Sequence, residues 1–279
     1  MENSAQKISA CLIVYNEEKI VRRCLDSIKD LVDEIIVVHD GDCKDKTLEI
    51  AREYTDKVFV RPHAGISTLH FVFCFNTAIG DWILLMDADE YLEAKDFPLI
   101  REKINNQNGA NRYILNWEMW NGKKTLRCKG IQKACLFKKS AMHFVGIPHA
   151  MGDVDGKTEK LDIYLRHKPL YNNISWKSFN RKKAMWVPLH AKYFFPELVQ
   201  YECFNAVPGK WVEYANQVKT HPVFYLTVYP LKTFLGQLKN GLWGSWTGIN
   251  IVCQQYIYYL CLHWEVWKMG KKSKLSKLS

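Results

Sequence analysis

The chain has 279 residues, of which 48% are hydrophobic and 24% are charged, and this composition excludes a disordered chain or a collagen-like repeat. Lysine and arginine total 39 against 29 acidic residues, so the net charge of +10 favours an anionic partner such as nucleic acid, anionic lipid or a phosphorylated substrate. The nine cysteines are odd in number and show no CxxC spacing, so we expect a reduced intracellular protein without a disulfide framework or zinc site. Residues 1–7 are polar and predict no secretory signal.

The first third of the chain alternates between short apolar runs and amphipathic segments. Runs rich in β-branched residues predict buried strands at residues 8–14, 35–38, 58–60 and 82–86. The segments between them carry apolar residues at helical spacing, and Asn16 and Asp45 are candidate helix caps. This alternation predicts a mainly parallel, doubly wound sheet with helices on both faces.

The middle of the chain has a different pattern. Residues 112–119, 134–137 and 163–166 read as strands separated by glycine- and lysine-rich turns, and the chain is helical and aromatic from about residue 170 onward. The total length suggests one large domain, or one and a half.

Acidic residues directly follow the apolar strand at residues 82–86. Asp87 and Asp89 stand at positions i and i+2 where this strand leaves the sheet, and ligands of open α/β sheets bind beyond the carboxyl ends of strands. Two such carboxylates can converge on Mg²⁺ or Mn²⁺, which prefer oxygen ligands and often bind together with substrate phosphates. The alternative is a solvated acidic turn.

Two further loops are expected at the same edge of the sheet. Asp40 follows the second strand and can accept hydrogen bonds from a base or a ribose. Tyr15 follows the first strand and can stack on a base. Glu17 either contacts the nucleotide or stabilises the positive end of the next helix.

Together these strand ends resemble family 2 glycosyltransferases of the GT-A fold. The matching stretches are residues 13–18, 37–47 and 80–90, and their order and spacing are similar to the family across roughly residues 7–95. The most specific stretch, Gly-Asp-Trp-Ile-Leu-Leu-Met-Asp-Ala-Asp-Glu, looks like the subgroup that builds lipopolysaccharide cores and other surface glycans.

The resemblance implies a GT-A-like α/β fold and an inverting transfer of a sugar from a nucleotide-sugar donor to a lipid-linked or surface-glycan acceptor. Tyr15, Glu17 and Asp40 would hold the nucleoside. Asp87 would contact the diphosphate and, with Asp89, would hold it through a divalent metal, Mg²⁺ or Mn²⁺.

The same resemblance divides the chain into three parts. Residues 1–105 would form the nucleotide-sugar-binding half of the domain, and residues 106–170 its acceptor-side half. Residues 171–279 would form a helical, membrane-associating extension.

The chain departs from the family in two places. Many relatives carry Arg-Asn in the helix where this chain has Phe71 and Val72. The subgroup often shows Gly-x-x-His-Glu, in which the glutamate is a candidate base, whereas residues 146–150 read Gly-Ile-Pro-His-Ala. We therefore take Asp153 as the first choice for the base. His149 is a candidate third metal ligand, although a structural histidine is an equal alternative.

Residues 240–264 contain no charged side chain and are followed by five lysines. A helical stripe runs through Leu242, Trp246, Ile249, Cys253, Tyr256, Leu260, Trp264 and Trp267. This pattern favours a helix lying at the interface of an anionic membrane, and a transmembrane helix or a buried packing or oligomer helix stay open. We expect a cytoplasmic protein, peripheral on the inner face of the membrane, whose basic charge requires no nucleic acid.

Other functional classes fit the sequence less well. A P-loop would need glycine at position 151, which is Met151, and a dinucleotide-binding GxGxxG after the first strand is absent. A non-catalytic nucleotide-sugar or glycan-binding protein that has lost its base stays open, because Ala150 replaces the expected glutamate.

Overall fold

The computed structural model describes residues 5–106, 108–239 and 244–276. The strands are β1 (Ile8–Val14), β2 (Glu34–Asp40), β3 (Val58–Arg61), β4 (Trp82–Asp87), β5 (Glu90–Tyr91), β6 (Arg112–Trp117), β7 (Met119–Trp120), β8 (Thr125–Leu126), β9 (Gln132–Lys138), β10 (Met142–Val145), β11 (Asp153–Val154), β12 (Thr158–His167) and β13 (Cys203–Phe204). The helices are α1 (Val21–Ile28), α2 (Thr47–Arg52), α3 (Phe71–Thr77), α4 (Phe97–Asn105), α5 (Trp176–Lys192), α6 (Gly209–Thr220), α7 (Pro222–Lys239) and α8 (Trp246–Ser276).

Eight of these strands form one central sheet in the order β3-β2-β1-β4-β9-β6-β12-β5. Strands β3, β2, β1 and β4 are parallel neighbours, β9 runs antiparallel between β4 and β6, and β12 is parallel to β6. The mainly parallel α/β sheet expected from the sequence is confirmed, and the predicted strands of the first third are present.

The core lies where apolar strands meet the helices. All seven residues of β1 are buried, as a strand covered on both faces requires. Helix α1 buries Val21, Cys24, Leu25 and Ile28, the face that the sequence spacing predicts. Such a core fixes the strand ends, and with them the residues that follow each strand.

The middle of the chain extends the same sheet and adds a smaller one. The strands predicted at residues 112–119, 134–137 and 163–166 are found in β6 with β7, β9 and β12. A three-stranded sheet of order β11-β10-β13 joins this part to the residues after α5. Phe144 of β10 packs against Phe75 of α3, with ring centroids 5.3 Å apart.

Helices α5 to α8 form a C-terminal helical bundle, in which α8 packs against α5, α6 and α7. Val252, Leu262 and Val266 of α8 are almost completely buried. These buried residues are not those of the expected stripe: Trp246 is 87% and Trp264 is 48% exposed, the stripe residues between them are half-buried, and Leu242 lies outside the described residues. None of the helices in the described ranges is long and apolar enough to cross a membrane.

Candidate active site

Three strand ends meet at one edge of the central sheet. In the parallel ladders, Val14 of β1 lies opposite His39 of β2, and Ile13 lies opposite Asp87 of β4. The loops that follow β1, β2 and β4 therefore start side by side, as the strand-end argument predicts. Their side chains form the carboxyl-edge cleft that the next paragraphs build up.

The loop after β1 is fixed by an uncommon backbone conformation at Asn16, whose φ is 51°. The Asn16 amide donates to Nε2 of the buried His39 (3.1 Å), and His39 Nδ1 lies 2.8 Å from the Gly41 carbonyl oxygen. Since Nε2 accepts, Nδ1 donates to that carbonyl oxygen, and the ring joins the loop after β1 to the loop after β2. Tyr15 is held at the edge with 48% of its surface exposed.

Asp45 and Thr47 connect this loop to the loop after β2. Asp45 accepts from the amides of Thr47 (2.9 Å) and Glu18 (3.1 Å), and the Glu17 amide donates to the Thr47 hydroxyl (2.6 Å). Asp45 thus satisfies a free amide at the start of α2, as predicted, and also positions the segment that carries Glu17.

Asp40 is 6% exposed and organises the segment that follows β3. Its carboxylate accepts from the amides of Ala64 and Gly65 and lies 2.9 Å from His70 Nε2. Burial opposes the charge, but the hydrogen bonds from His70 and from the two amides lower the pKa of Asp40 below its usual value. His63 packs against Tyr15, with ring centroids 5.2 Å apart.

Asp87 is paired with a lysine from the antiparallel strand β9. Lys133 Nζ lies 2.6 Å from Asp87 Oδ2 and 2.6 Å from Glu90 Oε2. Burial disfavours its charge, but Asp87 and Glu90 raise the pKa of Lys133, which stays protonated. Glu90 is fully buried, and its Oε1 has no hydrogen-bond partner among the described residues.

Asp89 is held by the end of β12. His167 Nε2 lies 3.2 Å from Asp89 Oδ2, and the ring packs against Trp117 at 4.8 Å. Burial acts against ionisation, yet the hydrogen bond from His167 lowers the pKa of Asp89. His167 is 3% exposed, so it positions Asp89 from the interior of the protein and does not face solvent.

Glu17 lies close enough to both aspartates to feel their charge. Burial in the cleft, followed by repulsion from Asp89 and then Asp87, raises the pKa of Glu17 to about 8, against the lowering effect of a hydrogen bond from the Tyr15 amide (3.2 Å). The raised pKa shows that Glu17 lies where the carboxylates of the cleft crowd together.

Helix α5 lies across this acidic cluster. Trp186 Nε1 donates to the Gly65 carbonyl oxygen (3.3 Å), beside the segment that Asp40 holds. One α-helical turn before it, Lys182 Nζ lies 5.5 Å from the Tyr171 ring and is attracted by Asp89 and Asp87, while burial lowers its pKa. The cleft is therefore closed on one side by a basic and aromatic helix.

His149 lines the opening of the cleft. Its φ is 59°, and its ring lies 5.0 Å from Trp186, 5.6 Å from His190 and 5.2 Å from Tyr258. The ring keeps exposed surface although these neighbours lower its pKa by burial, with Lys182 adding to the effect, as expected at the wall of a concave site. In the described part of the chain, no three His, Cys, Asp or Glu side chains are grouped as a ready metal site, so His149 does not complete one with Asp87 and Asp89.

Asp153 lies away from the other predicted residues. It is 76% exposed in the small sheet, and Arg112 Nη1, which lies 3.9 Å from its carboxylate, also donates to the Gly152 carbonyl oxygen. Arg112 pairs with Phe137, which pairs with Ile83 near the start of β4. Asp87 stands at the other end of β4, roughly 13 Å further by the rise of a strand. This placement does not support Asp153 as the base and corrects that expectation.

The cleft suits a divalent cation with a diphosphate. Asp87 and Asp89 each use one carboxylate oxygen in the pairs described above, and the other oxygen of each is a hard donor of the kind that Mg²⁺ and Mn²⁺ prefer. Among the described residues, no third His, Cys, Asp or Glu joins them in a three-residue metal group. The raised pKa of Glu17 indicates an acidic cluster that an added cation would stabilise.

Sequence reasoning missed the residues that come from distant segments. Lys133, Tyr171, Lys182 and Trp186 carry no motif, and they reach the cleft through the antiparallel strand β9 and through α5. Lysines and aromatics in helix-like spacing near residue 182 were the only available signal.

Residues 9–152 match a family described as glycosyl transferase family 2. A protein of Rickettsia felis named uncharacterized glycosyltransferase is 38% identical over 109 residues, 39% of this chain and 38% of that protein. A like-named protein of Rickettsia typhi is 33% identical over 132 residues, 47% of this chain and 43% of that protein. The chain thus spans less than half of these relatives.

Among solved structures, S. aureus TarS 1-349 in complex with UDP is 14% identical, with a TM-score of 0.46 over 95% of this chain and 92% of that one. The family match covers more than half of the 279 residues, and it coincides with the sheet edge that carries Tyr15, Asp40, Asp87 and Asp89. The chain belongs to glycosyl transferase family 2.

Proposed function

We propose that the protein is an inverting glycosyltransferase that uses a nucleotide-sugar donor and depends on a divalent metal. The observation that carries the proposal is the convergence of Glu17, Asp87 and Asp89 beside Lys182 in one cleft at the carboxyl edge of the sheet. Carboxylates with unused oxygens next to cationic side chains suit a metal-bound diphosphate, whereas a binder of neutral glycans would need neither.

The donor would lie along the edge from β2 to β4. Tyr15 and the His63 ring offer aromatic surface for a base, and Asp40 holds the neighbouring backbone in place through His70. Asp40 contributes mainly by ordering residues 63–66, because most of its hydrogen-bonding capacity is used within the chain.

Asp87 and Asp89 would hold the metal, Mg²⁺ or Mn²⁺, which stabilises the charge of the leaving diphosphate when bound. Lys133 fixes the position of Asp87 through an ion pair, and the hydrogen bond from His167 lowers the pKa of Asp89, so both carboxylates are held in place before an ion binds. Lys182 and the neighbouring Arg181 would contact the diphosphate from α5 and help to exclude water.

The acceptor that we propose is lipid-linked or part of a surface glycan, as in the lipopolysaccharide-type subgroup that the sequence resembles. Residues 106–170 would contribute its side of the cleft, and the C-terminal helical bundle would hold the protein at the inner face of the membrane. The net charge of +10 suits an anionic surface.

A second candidate is a binding protein without turnover. Two observations favour it: Ala150 follows His149 where a carboxylate is expected, and Asp153 lies near the opposite end of β4. An acceptor hydroxyl must lose its proton during transfer, so a cleft without a positioned base would bind the donor and release it unchanged.

The test is a panel of nucleotide sugars, each with and without Mn²⁺ or Mg²⁺. We expect one donor to raise the melting temperature only when metal is present, and the same donor to be hydrolysed slowly to free sugar. Stabilisation without hydrolysis or transfer would establish the binding protein instead. No stabilisation by any donor would reject both readings.

A further inference from the structure

Helix α7 exposes a continuous apolar face. Phe224, Val228, Leu231 and Leu235 recur at helical spacing, and between 43% and 55% of each is exposed. The stripe is roughly 16 Å long by the helical rise per residue. Scattered apolar residues are normal on a surface, but four large ones aligned along a single helix form a patch that calls for a partner.

The opposite face of α7 is fixed to the bundle. Tyr225 is 6% exposed, and the Tyr225 and Tyr229 rings each lie 5.5 Å from the ring of His263 on α8. The apolar stripe therefore cannot turn inward without breaking these contacts. The apolar stripe is therefore part of the surface of the folded protein.

The charges beside the stripe identify the partner. Lys232 and Lys239 are exposed on the same side of α7, and the helix contains no acidic residue. An apolar stripe flanked by lysines is the pattern of a helix that lies in the headgroup region of an anionic bilayer. Two copies packed through this face would bring their lysines together with no acid on α7 to pair with them, which disfavours a dimer.

We propose that α7 docks the protein on an anionic lipid surface through Phe224, Val228, Leu231 and Leu235, with Lys232 and Lys239 contacting lipid headgroups. This inference rests on the proposed membrane association and deepens it, because it adds α7 to the segment at residues 240–264 as a lipid contact. It does not depend on the donor or on turnover.

The experiment is flotation of the full chain with vesicles of equal parts phosphatidylglycerol and phosphatidylcholine, and with vesicles of phosphatidylcholine alone. The variant is Phe224→Ser, Leu231→Ser and Leu235→Ser together. We expect its affinity for the anionic vesicles to fall at least about tenfold. Unchanged circular dichroism and donor stabilisation would show that the fold and the cleft are intact, so failure here is distinguishable from failure of the proposed function.

The matched control replaces three exposed apolar residues of the α/β part, Val60, Ile79 and Met151, by serine. We expect this control to bind as the unchanged protein does. A second pair separates charge from apolar contact: Lys232→Gln with Lys239→Gln should weaken binding to the anionic vesicles only, whereas the exposed Lys123→Gln with Lys124→Gln should not.

Two results would overturn the proposal. In the first, the α7 variant and the α/β control bind the vesicles equally well. In the second, the unchanged chain ignores both kinds of vesicle and is a dimer that the α7 variant converts to a monomer, which would assign the face to a second copy.

Discussion

Buried titratable side chains keep their charge in the carboxyl-edge cleft and lose it in the C-terminal helical bundle. In the cleft, Lys133 lies between Asp87 and Glu90, so its charge is kept and paired. In the bundle, burial lowers the pKa of His190 to about 3 and of His263 to about 4, so both rings are neutral and pack as aromatics. Preorganised charge therefore lies at the sheet edge, whereas the buried contacts of the bundle are apolar and aromatic.

The largest effect on activity is expected for Asp89→Asn. If the cleft binds the donor through its charge, kcat/KM should fall by about a thousandfold or more, since a neutral amide stabilises a metal-bound leaving group poorly. The assay is release of the nucleotide from the donor. Asp153→Asn is the control and should change the rate less than about twofold. Equal losses in both variants would contradict the separation of Asp153 from the cleft.

The second largest effect is expected for Lys133→Met. Removing the ammonium leaves Glu90 buried without its cation, which should cost about 3 kcal/mol of unfolding free energy. Urea denaturation measures this cost, with Lys138→Met on the same strand as the control. Adding Glu90→Gln to Lys133→Met should recover part of the loss. A double variant no more stable than Lys133→Met alone would argue against the pair as the cause.

His70→Ala tests whether Asp40 orders the nucleoside side of the cleft. The side chain is 3% exposed, and its loss should cost about 2 kcal/mol and raise the KM for the donor, because residues 63–66 lose support. The exposed neighbour change, His63→Ala, should cost less than about 0.5 kcal/mol. If His63→Ala proved the more damaging to folding, the structural role assigned to His70 would be refuted.

The smallest effect is expected on the pH dependence of the unfolding free energy, through Glu17. A carboxyl whose pKa rises on folding favours the folded state at low pH, and this stability is lost as the pH rises from about 4 in the unfolded chain through about 8 for folded Glu17. Glu17→Gln removes the penalty, so the metal-free variant should gain on the unchanged protein at alkaline pH, by less than about 1 kcal/mol because Glu17 is partly exposed.

Denaturation in EDTA at acid and at alkaline pH measures this gain. Glu49→Gln, at an exposed position, is the control. The difference in unfolding free energy between this variant and the unchanged protein should be small in both conditions. A Glu17→Gln variant whose relative stability is the same at both extremes would rule out the acidic crowding.

The sequence was most informative where local pattern and tertiary position coincide. The apolar runs of β1, β2 and β4 are buried strands, and parallel pairing brings Tyr15, Asp40 and Asp87 to one edge without further information. The strand-end argument does not apply to Asp153, because β11 lies outside the central sheet. Its short distance along the chain from His149 did not predict its position in space.

The bundle was harder to predict for a physical reason. An uncharged segment such as residues 244–264 is apolar whether it lies against lipid or against other helices, and only tertiary packing separates the two. The lysines of α7 lie among apolar residues, so its sequence gives a weaker signal, yet α7 exposes apolar side chains to solvent just as α8 does at Trp246 and Trp264.

The hydrogen bond from Trp186 to the Gly65 carbonyl oxygen joins segments 121 positions apart in the sequence. Whatever repositions the backbone at residue 65 must either carry α5 along or break this bond. Because α8 packs on α5, a ligand that moved the backbone at residue 65 would also bias the position of the helices, and a change in the helices would bias the binding of that ligand by the same free energy.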